Sequence, residues 1–94
     1  IYTARSMGSE SMPFEPMVLS GHRTALPHGT PSPEKKIKKN DITMMDFGCK
    51  VNGFGSDITR TFCIGKPTKE QKTMYELVKK AQMEAINNVR PGIK

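Results

Sequence analysis

Ninety-four residues, 35% hydrophobic and only 6% aromatic, supply one small and lean core, which disfavours two domains within them. No apolar run approaches the ~20 residues a membrane span needs, and two cysteines without CxxC spacing exclude a disulfide scaffold and a zinc ribbon. The net charge of +6 gathers at Lys35, Lys36, Lys38 and Lys39 and along the last helix without interleaved aromatics, which reads as solvated surface and disfavours a nucleic-acid partner.

The opening Ile1-Tyr2-Thr3-Ala4-Arg5 has neither an initiator Met nor a signal-peptide stretch, so the chain is expected to start in mid-sequence. Residues 1 to 7 read as the end of a helix stopped by Gly8. Met17-Val18-Leu19, bracketed by Pro13, Pro16 and Gly21, reads as a short, mostly buried strand. His22 to Pro33 is dense in Gly, Pro and Thr and predicts an irregular loop carrying both histidines. Cys49 and Cys63 fit reduced thiols in a cytoplasmic protein.

Asp41 to Cys49 and Gly55 to Ile64 are strand-like, and the Asn52-Gly53 between them predicts a β-hairpin, because a type I′ turn needs positive φ at both central residues. After Gly65-Lys66-Pro67, the segment Thr68-Lys69-Glu70-Gln71 fits a capping box and starts a helix. Its apolar residues Met74, Leu77, Val78, Ala81, Ala85 and Val89 recur every three or four positions down to Pro91-Gly92, forming one stripe that needs a sheet to cover. The fold class is α+β, an antiparallel hairpin packed against a long helix.

A two-residue turn at Asn52-Gly53 sets Val51 opposite Phe54, Asp46 opposite Thr59 and Gly48 opposite Asp57. Alternation then places Asp46, Gly48, Asp57 and Thr59 on one face, with Asp46 and Asp57 as diagonal neighbours about 7–8 Å apart at the backbone. Two unpaired carboxylates converging there would repel, so the arrangement calls for cations between them, and Gly48 is expected to leave room for an ion. Hard oxygen donors suit Mn, Mg, Co or Zn. Spacing alone leaves open that both are ordinary surface acids. Against this, Asp46 lies within the apolar run Met44-Met45-Asp46-Phe47, where an unpaired charge is costly to bury. The opposite face carries Met45, Phe47, Ile58 and Phe62, with Arg60 discordant, and is expected to meet the helix stripe. Cys49 and Cys63 fall on opposite faces, which argues against a disulfide.

Three segments, Ser20-Gly21 to Ala25-Leu26-Pro27-His28-Gly29, Asp41-Ile42-Thr43-Met44-Met45-Asp46-Phe47-Gly48 and Gly53-Phe54-Gly55-Ser56-Asp57-Ile58-Thr59-Arg60-Thr61-Phe62, closely resemble the pita-bread metallopeptidases. That is the family of methionine aminopeptidase, aminopeptidase P and Xaa-Pro dipeptidase, and the form Ser56-Asp57-Ile58-Thr59-Arg60-Thr61-Phe62 looks most like its Xaa-Pro branch. The resemblance implies a dinuclear exopeptidase hydrolysing the N-terminal bond of peptides with Pro at the second position. Asp46 would chelate one of two divalent ions (Mn, Co or Zn), Asp57 would bridge both, and a hydroxide between them would be the nucleophile. His28 matches the family histidine that hydrogen-bonds substrate near the scissile bond; without the resemblance it is a loop histidine with no assigned role. His22 matches no functional position.

The family completes its site with a histidine and two glutamates from the second half of the fold. Here no histidine follows His28, and Glu70, Glu76 and Glu84 all lie on the terminal helix. Residues 1–94 are therefore expected to be roughly the first half of one pita-bread catalytic domain, inactive alone, with a homodimer as the complete protein. The rival reading is a non-catalytic peptide- or nucleic-acid-binding module on the same scaffold, to which the +6 charge lends support. Retention of Asp46 and Asp57 favours the enzyme over that module and over metal-free, creatinase-like chemistry. Gly53-Phe54-Gly55 lacks the third glycine of a dinucleotide loop, and Gly65-Lys66-Pro67-Thr68 lacks the first glycine and the hydroxyl of a P-loop.

Overall fold

In the computed structural model, which describes residues 1–93, Asn52 and Gly53 take φ of 50° and 81°, the left-handed pair that a type I′ reversal demands. That turn sets the register of everything around it. Strand β2 (Ile42–Phe47) pairs antiparallel with β5 (Ile58–Cys63), Asp46 opposite Thr59 and Ile42 opposite Cys63. The short strands β3 (Lys50–Val51) and β4 (Phe54–Gly55) pair across the tip, Val51 opposite Phe54. Both ladders keep the register expected of the turn. Strand β1 (Met17–Ser20) joins the far side of β2, Met17 opposite Asp46 and Leu19 opposite Met44, giving a sheet ordered β1-β2-β5.

The hairpin differs from expectation in one respect: it is two ladders rather than one. Gly48, Cys49, Ser56 and Asp57 lie outside the strands. The N–H of Ser56 donates to the Cys49 carbonyl at 2.8 Å, and its Oγ accepts from the Cys49 N–H at 3.0 Å. The cause lies partly at the other end of the chain. Helix α1 (Tyr2–Ser6) stops ahead of Gly8 at φ 104°, and the following segment runs along β3: Glu10 N–H to Lys50 O at 2.9 Å, Lys50 N–H to Ser11 O at 3.0 Å, and Asn52 N–H to Glu10 Oε1 at 2.6 Å.

The buried residues are few. Met17 and Leu19, 9% and 2% exposed, form the apolar core with Ser20 and Thr43 beside them. The expected loop after β1 begins instead with a 3₁₀ turn, Gly21–Ala25, whose Thr24 Oγ1 donates to the Gly21 carbonyl at 2.8 Å. Helix α2 (Lys69–Asn88) starts with the expected capping box: Thr68 Oγ1 accepts from the Gln71 N–H at 3.1 Å, and Gln71 Oε1 accepts from the Thr68 N–H at 2.7 Å. Gln71 Nε2 also donates to the Asn40 carbonyl at 3.0 Å, tying the helix to the start of β2.

The architecture is α+β, an antiparallel sheet with one long helix. The stripe of α2 is nonetheless not seated on the hairpin along its length, since no α2 residue is buried and Leu77 and Val78 are 68% and 63% exposed. Only its first turns meet the sheet, where Gln71 and Tyr75 stand across a groove from Ile42, Phe62 and Cys63. The anchors at that end are polar and local, so they aim the helix without drawing its stripe onto β5. Phe47, Ile58 and Phe62, the sheet's apolar face, stay half-exposed too. The accessible surface is 7874 Å², against about 5,400 Å² for a folded monomer of this mass. Two apolar surfaces thus stand ready for a covering layer.

Candidate metal centre

Asp46 owes its position to β2. The strand carries it to the face that holds the buried Met17 and Leu19, opposite Met17 on one flank and Thr59 on the other. It is half-buried, and Thr59 Oγ1 donates to its Oδ1 at 3.0 Å. That bond holds one carboxylate oxygen and leaves the second free to ligate. Among the described residues, Asp46 and Asp57 have no ion-pair partner, whereas Asp41 is paired with Lys35. A half-buried carboxylate without a countercharge is a donor suited to a hard divalent cation.

Asp57 lies in the break between the ladders, exposed, one residue before β5. No hydrogen bond links it to Asp46. The break also corrects the expected role of Gly48: a Cβ there would overlap the Ser56 carbonyl oxygen and stand 2.8 Å from Pro13 Cγ. Its missing side chain admits the crossing backbone and the Pro13 ring rather than an ion. Among the described residues, no group of three or more His, Cys, Asp and Glu side chains is placed to hold a metal. Asp46 and Asp57 therefore fit as part of a donor set, each with carboxylate oxygens to offer, and neither closes a coordination sphere alone.

His28 occupies a turn with Pro27, exposed, in the loop after the 3₁₀ turn. The next residue, Gly29, lies against Leu19: a Cβ there would be 2.6 Å from Leu19 Cδ1. Leu19 and Asp46 share a sheet face, because Met17 pairs with Asp46 and Leu19 follows two residues on. The loop bearing His28 thus covers the face that carries Asp46. His22 is exposed in the 3₁₀ turn. Cys49 and Cys63 are both free, as alternation required.

One lysine of the basic loop is structural rather than solvated. Lys35 Nζ bonds Asp41 Oδ2 at 2.5 Å and the Lys36 carbonyl at 2.7 Å, while the Lys38 N–H donates to the same carboxylate at 2.8 Å. The Lys35 ammonium, with the Lys38 amide, holds the Asp41 carboxyl below its usual value. Sequence reasoning also left Thr59 without a role of its own. Its place opposite Asp46 was readable from the register, and a hydroxyl facing a carboxylate across a ladder is the signal that marks it.

Residues 1–94 match the profile of metallopeptidase family M24. The Xaa-Pro dipeptidase of Pyrococcus furiosus is 40% identical over 92 residues, which cover 98% of this chain and 26% of that protein. Among solved structures, a prolidase from Thermococcus sibiricus superposes with a TM-score of 0.89 at 44% identity, covering 94% of this chain and 24% of that one. The X-Pro aminopeptidase of Thermotoga maritima gives 0.79 at 40% identity, covering 87% and 23%. The chain spans about a quarter of the length of these relatives.

Proposed function

This chain belongs to metallopeptidase family M24, and on that premise we propose that it forms part of the pita-bread catalytic domain of an Xaa-Pro peptidase, a dipeptidase or an aminopeptidase P-like enzyme. The observation that carries the reading is Asp46: a half-buried carboxylate, oriented by Thr59 and, among the described residues, without a cationic partner, eleven residues before a second aspartate in the same hairpin. Both would donate oxygen to two divalent ions, with manganese, cobalt and zinc the candidates. Such ions supply Lewis-acid polarisation of the scissile carbonyl and an acidified water.

The chain's own residues do the holding and orienting. Thr59 holds the Asp46 carboxylate in one rotation, the ladder break carries Asp57 ahead of β5, and His28 stands on the covering loop where it can hydrogen-bond a peptide substrate. The remaining ligands would come from another part of the fold, whose natural seats are the uncovered faces of the sheet and of α2. The likeness to an Xaa-Pro dipeptidase and to an X-Pro aminopeptidase supports a substrate with Pro at the second position. Free thiols at Cys49 and Cys63 suit a reducing, cytoplasmic setting, and a homodimer is the proposed assembly. Among the described residues, no helix is long and apolar enough to cross a membrane.

The test is metal analysis and an Xaa-Pro assay, on a dipeptide and on a longer peptide, of the complete protein, with Asp57→Asn as control. Two divalent ions per chain and cleavage that the substitution abolishes are expected. A protein that binds peptide but neither retains metal nor cleaves would replace the enzyme with the non-catalytic module.

A further inference from the structure

The turn that presents His28 is held by contacts that do not involve His28 itself. Arg23, in the 3₁₀ turn, reaches across seven residues to donate from Nη2 to the Thr30 carbonyl at 2.7 Å. At the base of the same loop the Leu26 N–H donates to the Arg23 carbonyl at 3.1 Å. Backbone and side chain of one residue thus close the segment from Leu26 to Thr30 at both ends. Gly29 seats the ring on Leu19, with no space for a side chain. The His28 imidazole makes no hydrogen bond among the described residues, so the position of its turn rests on the backbone of this closed loop.

Arg23 is not a loose surface side chain that happens to meet a carbonyl. Its Nε is buried and lacks a partner. A sealed donor left unmet is unusual and calls for a reason. Here it accompanies a side chain committed elsewhere, since the same guanidinium delivers Nη2 to the Thr30 carbonyl. Lysine could bring one donor to the same carbonyl but not a rigid planar fork.

We propose that Arg23 is a positioning residue for His28, a strap that fixes the Pro27-His28 turn over the Asp46 face of the sheet. This rests on the reading of His28 as a substrate-binding group in an Xaa-Pro peptidase. A strap lost lets the turn wander, and displacement of a reacting or binding group by about 1 Å can cost on the order of a hundredfold in rate.

The experiment is a double-mutant cycle in the complete enzyme with Ala-Pro as substrate, accompanied by amide hydrogen exchange. Arg23→Ala is expected to lower kcat/KM by about tenfold to a hundredfold, to leave the bound metal unchanged, and to speed exchange at residues 26–30. Arg23→Lys should recover part of the loss. In a His28→Ala background, Arg23→Ala should change kcat/KM by less than about twofold, because coupled residues do not add. Full additivity, or unchanged exchange at 26–30, overturns the inference. If Arg23→Ala does not fold, Arg23→Lys and Arg23→Gln carry the same cycle. Failure of the unaltered enzyme to cleave both Ala-Pro and a longer Xaa-Pro peptide refutes the proposed function, while the exchange measurement still decides the strap.

Discussion

Thr59 and Asp46 stand opposite each other in the β2–β5 ladder and are joined by a 3.0 Å hydrogen bond from Oγ1 to Oδ1. A hydroxyl that orients a ligating carboxylate typically contributes about tenfold to a hundredfold in metal affinity. Thr59→Val keeps the β-branched shape and deletes the donor. In the complete protein it is expected to weaken Mn binding by at least about tenfold, read by titration calorimetry, with an unchanged circular dichroism spectrum. Wild-type affinity would remove Thr59 from the centre.

Gly48 is pressed by the Ser56 carbonyl and by Pro13. Gly48→Ala must move backbone rather than a flexible side chain, an overpacking that costs about 1–3 kcal/mol. A urea midpoint lowered accordingly, with slope unchanged, is expected. A neutral substitution would mean that the strands do not cross this closely.

Asp41 supplies the pH dependence. Its carboxyl is held low by the Lys35 ammonium and the Lys38 amide, so its contribution is complete above the unfolded value near 3.8 and fades as pH falls through the lower folded value. Amide exchange in the segment 35–41 should accelerate as the pH drops below that point, after correction for intrinsic rates. Asp41→Asn should flatten this acid limb and leave neutral-pH activity in place. An acid limb identical in both proteins would contradict the pairing.

Thr68 closes the capping box of α2. Thr68→Ala should cost about 1 kcal/mol, measured by chemical denaturation. Gln71→Ala should cost more, since it removes both the reciprocal bond to Thr68 and the tie to the Asn40 carbonyl. Equal losses for the two variants would show that the Asn40 tie contributes nothing.

The 94-residue chain on its own is expected to show no Xaa-Pro cleavage and only weak Mn binding, with strong fluorescence of an apolar dye at its uncovered faces. Measurable turnover would show that residues 1–94 suffice for a site.

What could be read ahead of the structure follows a physical divide. Asn52-Gly53 fixes register through backbone conformation alone, so the pairing of Asp46 with Thr59 was legible from two residues and a count. Thr68 and Gln71 are likewise a local signal, and their box formed as expected. The ladder break was not legible, because Gly48 answers to Pro13, 35 residues earlier, and no pattern in the hairpin announces that neighbour. The role of Arg23 was hidden for a similar reason: its acceptor is a backbone carbonyl, which every residue possesses. The stripe of α2 was read correctly as apolar, but periodicity tells that a face wants cover and not which surface supplies it.

The clasp of Glu10 and Ser11 on β3 carries a consequence for the order of assembly. A two-residue reversal can close within microseconds of the strands meeting, whereas Glu10 must travel back across 42 residues to accept from the Asn52 amide, a loop closure that follows the hairpin in time. The tip would therefore zip first and be locked afterwards. Shortening the chain by its first dozen residues should leave the turn intact and raise the unfolding rate of the tip far more than it slows its formation.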